Sequence, residues 1–267
     1  VSKFRSDLGG CLIISDDDTQ DAFNPKYSRG FETDFSAYPE GIAPFCKPFS
    51  RPLIPESEWR ERIEHKERTK SRLSDYESEF NLPVLAQGST NYCWFNGTLH
   101  GVYLSRAKAG LPHIDLSPAS CAAKIKGYRN QGGWAIDAVN GMNKYGVATQ
   151  ELWPANAINK KYDTPEAREN ALLHTVPEFE QLPDESFAAV MTCILDDDPD
   201  PCTLGLLWWG HLVLAVDGVI LPNGDFGVKF KNSWGSSWGD NGFGVLTRSK
   251  ATPDEALCIY CPSPSVN

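Results

Sequence analysis

One thiol, one imidazole and one carboxamide of this 267-residue chain stand in an order that could do covalent chemistry. Cys93 lies in Q-G-S-T-N-Y-C-W, Gln87 to Trp94; His211 lies in W-W-G-H-L-V-L-A-V-D-G-V, Trp208 to Val219; Asn232 opens N-S-W-G. A thiol attacks a carbonyl as its thiolate, which a helix N-terminus or a nearby imidazolium favours. An imidazole can take the thiol proton, and an amide oxygen that accepts the other ring N–H fixes the tautomer. These are the parts of nucleophilic acyl transfer.

Three elements must position them. Leu99, Val102, Tyr103 and Leu104 fall near helical spacing after Trp94, and A-G-L-P (Ala109 to Pro112) stops the pattern. Cys93 is therefore expected to open a helix, with the positive end of its dipole at the sulfur. The apolar, β-branched run around His211 reads as a mostly buried strand, and Phe226, Val228 and Phe230 alternate with Gly227, Lys229 and Lys231 in a second. P-N-G-D (Pro222 to Asp225) between them carries a strong hairpin signal, so His211 and Asn232 are expected on neighbouring antiparallel strands. Each residue also has a duller reading: Cys93 as a small buried hydrophobe, His211 as a core histidine, Asn232 as a turn residue, Gln87 as part of a loop. His100 shares a helix face with Cys93 and points along one helix rather than across a cleft, so it reads as structural.

Together these blocks resemble the papain-like cysteine peptidases. That family carries Q-G-S-C-G-S-C-W around its nucleophile, a pair of glycines midway along the sequence, a histidine near a strand start and K-N-S-W-G-x-x-W-G-x-x-G-[YF] near its end. This chain has Gln87 six residues before Cys93, N-Q-G-G-W (Asn130 to Trp134), His211, and K-N-S-W-G-S-S-W-G-D-N-G-F (Lys231 to Phe243). The resemblance covers most of residues 82 to 248 and implies Cys93 as nucleophile, His211 as general base and later acid, and Asn232 as the residue orienting His211. It makes Gln87, with the Cys93 backbone N–H, the oxyanion donor. It casts Trp234 as the indole over the His–Asn bond and Trp238 as its companion. Gly132 and Gly133 become the backbone that pairs with an extended substrate, with Trp134, Ala135, Gly210 and Leu212 along the pocket. In the resting state it implies an imidazolium–thiolate pair, and it requires no cofactor.

The departures matter as much. The family's second cysteine before the nucleophile and its partner before the paired glycines are Thr90 and Asn130 here, a paired loss that fits a reducing compartment. Leu212 replaces a small residue and is expected to shorten a specificity pocket. The approach N-L-P-V-L-A-Q (Asn81 to Gln87) is brief, in the manner of intracellular bacterial branches, and residues 59 to 80 do not match the inhibitory prosegment of secreted members.

Composition bounds the rest. A net charge of −10 argues against a nucleic-acid groove, and the hydrophobic fraction of 41% is ordinary for a globular protein. No run reaches the roughly 18 apolar residues of a membrane span, and the opening V-S-K-F-R-S-D-L-G-G lacks a signal-peptide core, so a cytoplasmic setting is expected. Among eight cysteines, Cys193 and Cys202 could close a short loop and Cys258 and Cys261 form an isolated C-x-x-C. With no second ligand pair, reduced, semi-buried thiols and no metal site are expected.

The expected architecture is α+β, a papain-like pair of lobes. Residues 1 to 80 form an extension whose anchors Phe31, Phe35, Tyr38, Phe45, Phe49 and Trp59 must pack on the catalytic domain or on a protein partner. Residues 81 to 200 read mainly helical, with helices at 114 to 126, 133 to 145, 163 to 174 and 184 to 195. Residues 201 to 267 read as an antiparallel, barrel-like sheet lobe. The function expected is hydrolysis of a polypeptide substrate as a thiol endopeptidase. Acyl transferase or amidase chemistry through the same thioester, and a structural subunit built on the fold, stand as alternatives.

Overall fold

A computed structural model describes residues 11–18, 27–38, 46–174, 178–183 and 186–260. Phe45 and Cys261 lie outside the described residues. Among the described residues, eight strands form one sheet in the order β1-β7-β6-β5-β4-β8-β3-β2. These are β1 (Leu12–Ile14), β2 (Cys46–Pro48), β3 (Glu178–Gln181), β4 (Cys202–Leu206), β5 (His211–Ile220), β6 (Phe226–Lys231), β7 (Phe243–Thr247) and β8 (Leu257–Tyr260). The inner pairings are antiparallel, and the expected hairpin forms, with β5 on β6 in the register Leu214 to Lys231 and Ile220 to Phe226. The two edge pairings, β1 on β7 and β2 on β3, are parallel.

The helices are α1 (Glu56–Thr69), α2 (Leu73–Glu79), α3 (Cys93–Lys108), α4 (Pro118–Ile125), α5 (Ala135–Tyr145), α6 (Pro165–Ala171), α7 (Phe187–Leu195) and α8 (Arg248–Ala251). Their starts follow local chemistry. Ser117, Thr164 and Ser186 cap α4, α6 and α7 by accepting backbone N–H bonds, and Pro118 and Pro165 occupy first-turn positions that need no donor.

Helix α3 is buried on nearly every face. It sinks onto the sheet because Gly97, Gly101 and Ser105, four residues apart, make a shallow face. A Cβ at Gly97 would overlap the Leu212 side chain, one at Gly101 the Ile259 side chain, and Ser105 Oγ donates to the Ile259 carbonyl at 2.6 Å. The nucleophile helix is thus seated against β5 and β8, which fixes Cys93 relative to the start of β5.

One element differs from expectation. Strand β3 arises inside the stretch read as helical, because four residues paired to β8 are too few for a period-two signal. The extension supplies both edge strands and helices α1 and α2. Trp59 and Ile63 are buried against α7 and β5, and Ser74 donates to the buried carboxylate of Asp217 through Oγ at 2.5 Å and N at 3.2 Å.

Candidate active site

Cys93 is the first residue of α3 and His211 the first of β5, while Asn232 follows β6 directly. His211 Nε2 donates to Asn232 Oδ1 at 2.8 Å, and the Trp234 ring stacks on the imidazole at 4.5 Å, keeping water from that bond. This leaves His211 Nδ1 buried and without a hydrogen-bond partner. With the proton on Nε2, Nδ1 carries a free lone pair, the form a general base needs.

Gln87 enters from the other side. Its backbone N–H donates to the Ser233 carbonyl at 2.9 Å, and its side-chain oxygen accepts the Ser233 hydroxyl at 2.6 Å. Ser233 N donates in turn to Asn232 Oδ1 at 2.8 Å. One serine therefore ties the oxyanion candidate to the imidazole-orienting amide, and turns Gln87 Nε2 toward the cleft. Ser233 is silent in the sequence, because a serine inside N-S-W-G carries no chemistry until its neighbour across the seam is known.

Asn130 is tied to the residues on either side of Thr90 rather than to Thr90 itself. Asn130 Oδ1 accepts the Asn91 N–H at 2.6 Å, and Asn130 Nδ2 donates to the Ser89 carbonyl at 3.0 Å. Among the described residues all seven cysteines are free and buried, Cys193 and Cys202 included, so the short loop between them is not closed by a disulfide. Leu212 corrects another expectation: its side chain points into the core against Gly97, not along a pocket wall.

The cleft is occupied by the protein's own N-terminal extension. Gly30 and Phe31 donate their N–H groups to the Gly210 carbonyl at 3.3 and 3.1 Å; Glu32 donates to the Gly133 carbonyl at 3.2 Å, and Gly133 donates to Gly30 at 3.0 Å. Trp134 Nε1 donates to the Glu32 carbonyl at 3.0 Å. The Ser28 carbonyl accepts from both Gln87 Nε2, at 3.0 Å, and Trp234 Nε1, at 2.9 Å, while Tyr27 stacks on Trp234. Phe31 lies over Gly205, where a Cβ would overlap its ring, and a Cβ at Gly132 would press on the Gly30 carbonyl. At the far end Tyr38 donates its hydroxyl to Glu255, whose carboxylate also accepts the Ala135 and Ile136 N–H groups at the start of α5. Phe31, Phe35 and Tyr38 of this strap read in the sequence as packing anchors, whereas its glycine and Tyr27-Ser28-Arg29 carry no signal there.

This occupation sets the charge state. Cys93 and His211 are both 0% exposed. Burial pushes the Cys93 thiol up to about 12, although the amides of Leu212, Trp94 and Gly30 pull it down. Burial likewise drives His211 down to about 3, against the Asn232 bond that raises it, with the Arg29 guanidinium of the strap adding to the drop. In this closed form burial holds the Cys93 thiol above and the His211 imidazolium below their ordinary values, which favours two neutral groups over the expected imidazolium–thiolate pair. His211 and Cys93 share no hydrogen bond here.

Comparison with known proteins bears on the fold. No family model matches the chain. It is 23% identical over 193 residues to a cathepsin L-like proteinase of Fasciola hepatica, covering 65% of this chain and 59% of that protein. Over 56 residues it is 45% identical to mouse (Mus musculus) pro-cathepsin H, covering 21% of this chain and 16% of that one. The chain thus spans less than two thirds of the curated relatives it matches. Among solved structures, digestive procathepsin L 3 of Tenebrio molitor superposes with a TM-score of 0.58 at 19% identity, over 81% of this chain and 74% of that one. The chain has the papain-like fold. In papain-like terms the helix carrying Cys93 and the sheet carrying His211 and Asn232 are the two walls of the cleft, and the extension is what fills it. Among the described residues, no helix is long and apolar enough to cross a membrane.

Proposed function

We propose that this chain is a cysteine peptidase that cleaves polypeptides through Cys93, and that residues 27–38 close its cleft in the conformation described. The observation that carries this reading is the His211–Asn232 pair with a partnerless Nδ1, set beside a cleft whose backbone donors and acceptors already hold an extended peptide segment. With the strap withdrawn and the site rehydrated, His211 Nδ1 takes the Cys93 proton and the thiolate attacks the scissile carbonyl. The oxyanion is met by Gln87 Nε2 and the Cys93 N–H. His211 then protonates the leaving amine, and water activated by the same nitrogen hydrolyses the thioester. Gly133 and Gly210 pair with the substrate backbone in place of the strap.

The free thiols of all seven described cysteines support a reducing, intracellular setting. The full closure of the cleft favours a second reading, a structural module that keeps its catalytic residues without using them. Incubating a denatured polypeptide with wild type, Gly30→Val and Cys93→Ala separates the two. The peptidase reading expects new N-termini with the first two, faster with Gly30→Val, and none with Cys93→Ala. Absence of cleavage by a folded Gly30→Val protein contradicts it.

A further inference from the structure

The strap is held from both sides by elements that belong to the folded body. Upstream, β1 extends the sheet at β7. Downstream, β2 extends the opposite edge at β3, and Arg51 pairs with Asp200 at 2.5 Å and with Glu180 at 3.7 Å. Further on, Glu77 of α2 lies buried between Lys231 Nζ at 2.9 Å and His100 Nε2 at 2.8 Å. Lys231 is next to Asn232, and His100 is on the helix of Cys93. Removing the extension would take the Glu77 counter-ion from the buried Lys231 and the Ser74 hydroxyl from the buried Asp217, a destabilising change.

The strap itself is bound differently. Its hold on the cleft combines backbone bonds to Gly133 and Gly210, which any extended polypeptide can replace, with a few side-chain contacts: the buried Phe31 ring, Tyr27 stacked on Trp234 and the Tyr38 hydroxyl on Glu255. Over the thiol the backbone must be glycine, since a Cβ at Gly30 would overlap the Asn91 carbonyl oxygen. Of the strap, the Gly30 amide is the group that pulls the Cys93 thiol down, and its N–H donates to the Gly210 carbonyl at 3.3 Å.

Resting on the reading of Cys93 as a peptidase nucleophile, we propose that the cleft opens by reversible displacement of residues 27–38, while the rest of the extension stays folded on the body and the chain stays uncut. The extension is then a permanent part of the enzyme with a movable segment, rather than a piece removed to activate it.

The test follows alkylation of Cys93 by a thiol-directed epoxide under reducing conditions, with the intact mass of every labelled molecule recorded. Uncut wild type should label slowly, at a rate that levels off with epoxide concentration as strap opening becomes limiting. Phe31→Ala should label faster on the order of 100-fold, through loss of the buried ring. Gly30→Val should gain roughly 10- to 100-fold, through overpacking at Asn91. Having two variants guards against one failing to fold, which circular dichroism would reveal. Labelling only in molecules that have lost residues before 46, or folded variants that label no faster than wild type, would overturn the proposal. An uncut variant that labels at Cys93 yet cleaves no polypeptide supports the strap and sinks the peptidase reading instead.

Discussion

Ser233 hands its hydroxyl to Gln87 at 2.6 Å, so the residue after the imidazole-orienting Asn232 also aims the oxyanion donor. The two halves of the site are thereby coupled through one short side chain. In a strap-opened background, Gln87→Ala should lower kcat by on the order of 10²–10³ with little change in KM, because the lost bond is made to the transition state. Ser233→Ala should cost less, roughly 3- to 10-fold in kcat, since it frees Gln87 to turn without removing it. Steady-state kinetics on one peptide substrate check both, and an unchanged kcat in Ser233→Ala would contradict the coupling.

The buried Glu77 places a carboxylate between the nucleophile helix and the strand before Asn232. Glu77→Ala leaves Lys231, 3% exposed, without its counter-ion, and should lower stability by about 3–5 kcal/mol. Urea denaturation measures this. A loss below about 1 kcal/mol, the range of an exposed pair, would contradict the assignment.

Glu255 gives a pH signature. Burial pushes its carboxyl up to about 7, against the bonds from Ala135, Ile136 and Tyr38 that pull it down. A folded-state value above the unfolded one means that its contribution to stability is complete below about pH 4.3 and is lost as pH rises toward 7. Relative to Glu255→Gln, wild type should therefore lose up to about 3 kcal/mol between pH 4.5 and 7.5. Denaturant titrations of both proteins at the two pH values test this, and a pH-independent difference would contradict it.

What was legible in the sequence was the chemistry and the local elements around it. The stop at Ala109 to Pro112, the alternation from Phe226 to Phe230 and the hairpin at Pro222 to Asp225 each act over a few residues, and α3, β6 and the β5–β6 pairing follow them. Illegible were relations that only the fold brings together. Leu212 read as a pocket residue because sequence does not say which way a strand's first side chains point. Residues 27–38 read as loop because their hydrogen bonds go to Gly133 and Gly210, more than a hundred residues away. The expected ion pair depended on solvent, and no spacing of residues reveals that Phe31 and Gly30 exclude it.

The most direct measurement for the account as a whole is the acyl-enzyme itself. Mixing Gly30→Val with an activated ester and quenching in acid should show a burst of one leaving group per active site and a single acyl adduct on the peptide that contains Cys93. A folded protein that turns over the ester with no adduct at Cys93, or with the acyl group on another cysteine, would contradict it.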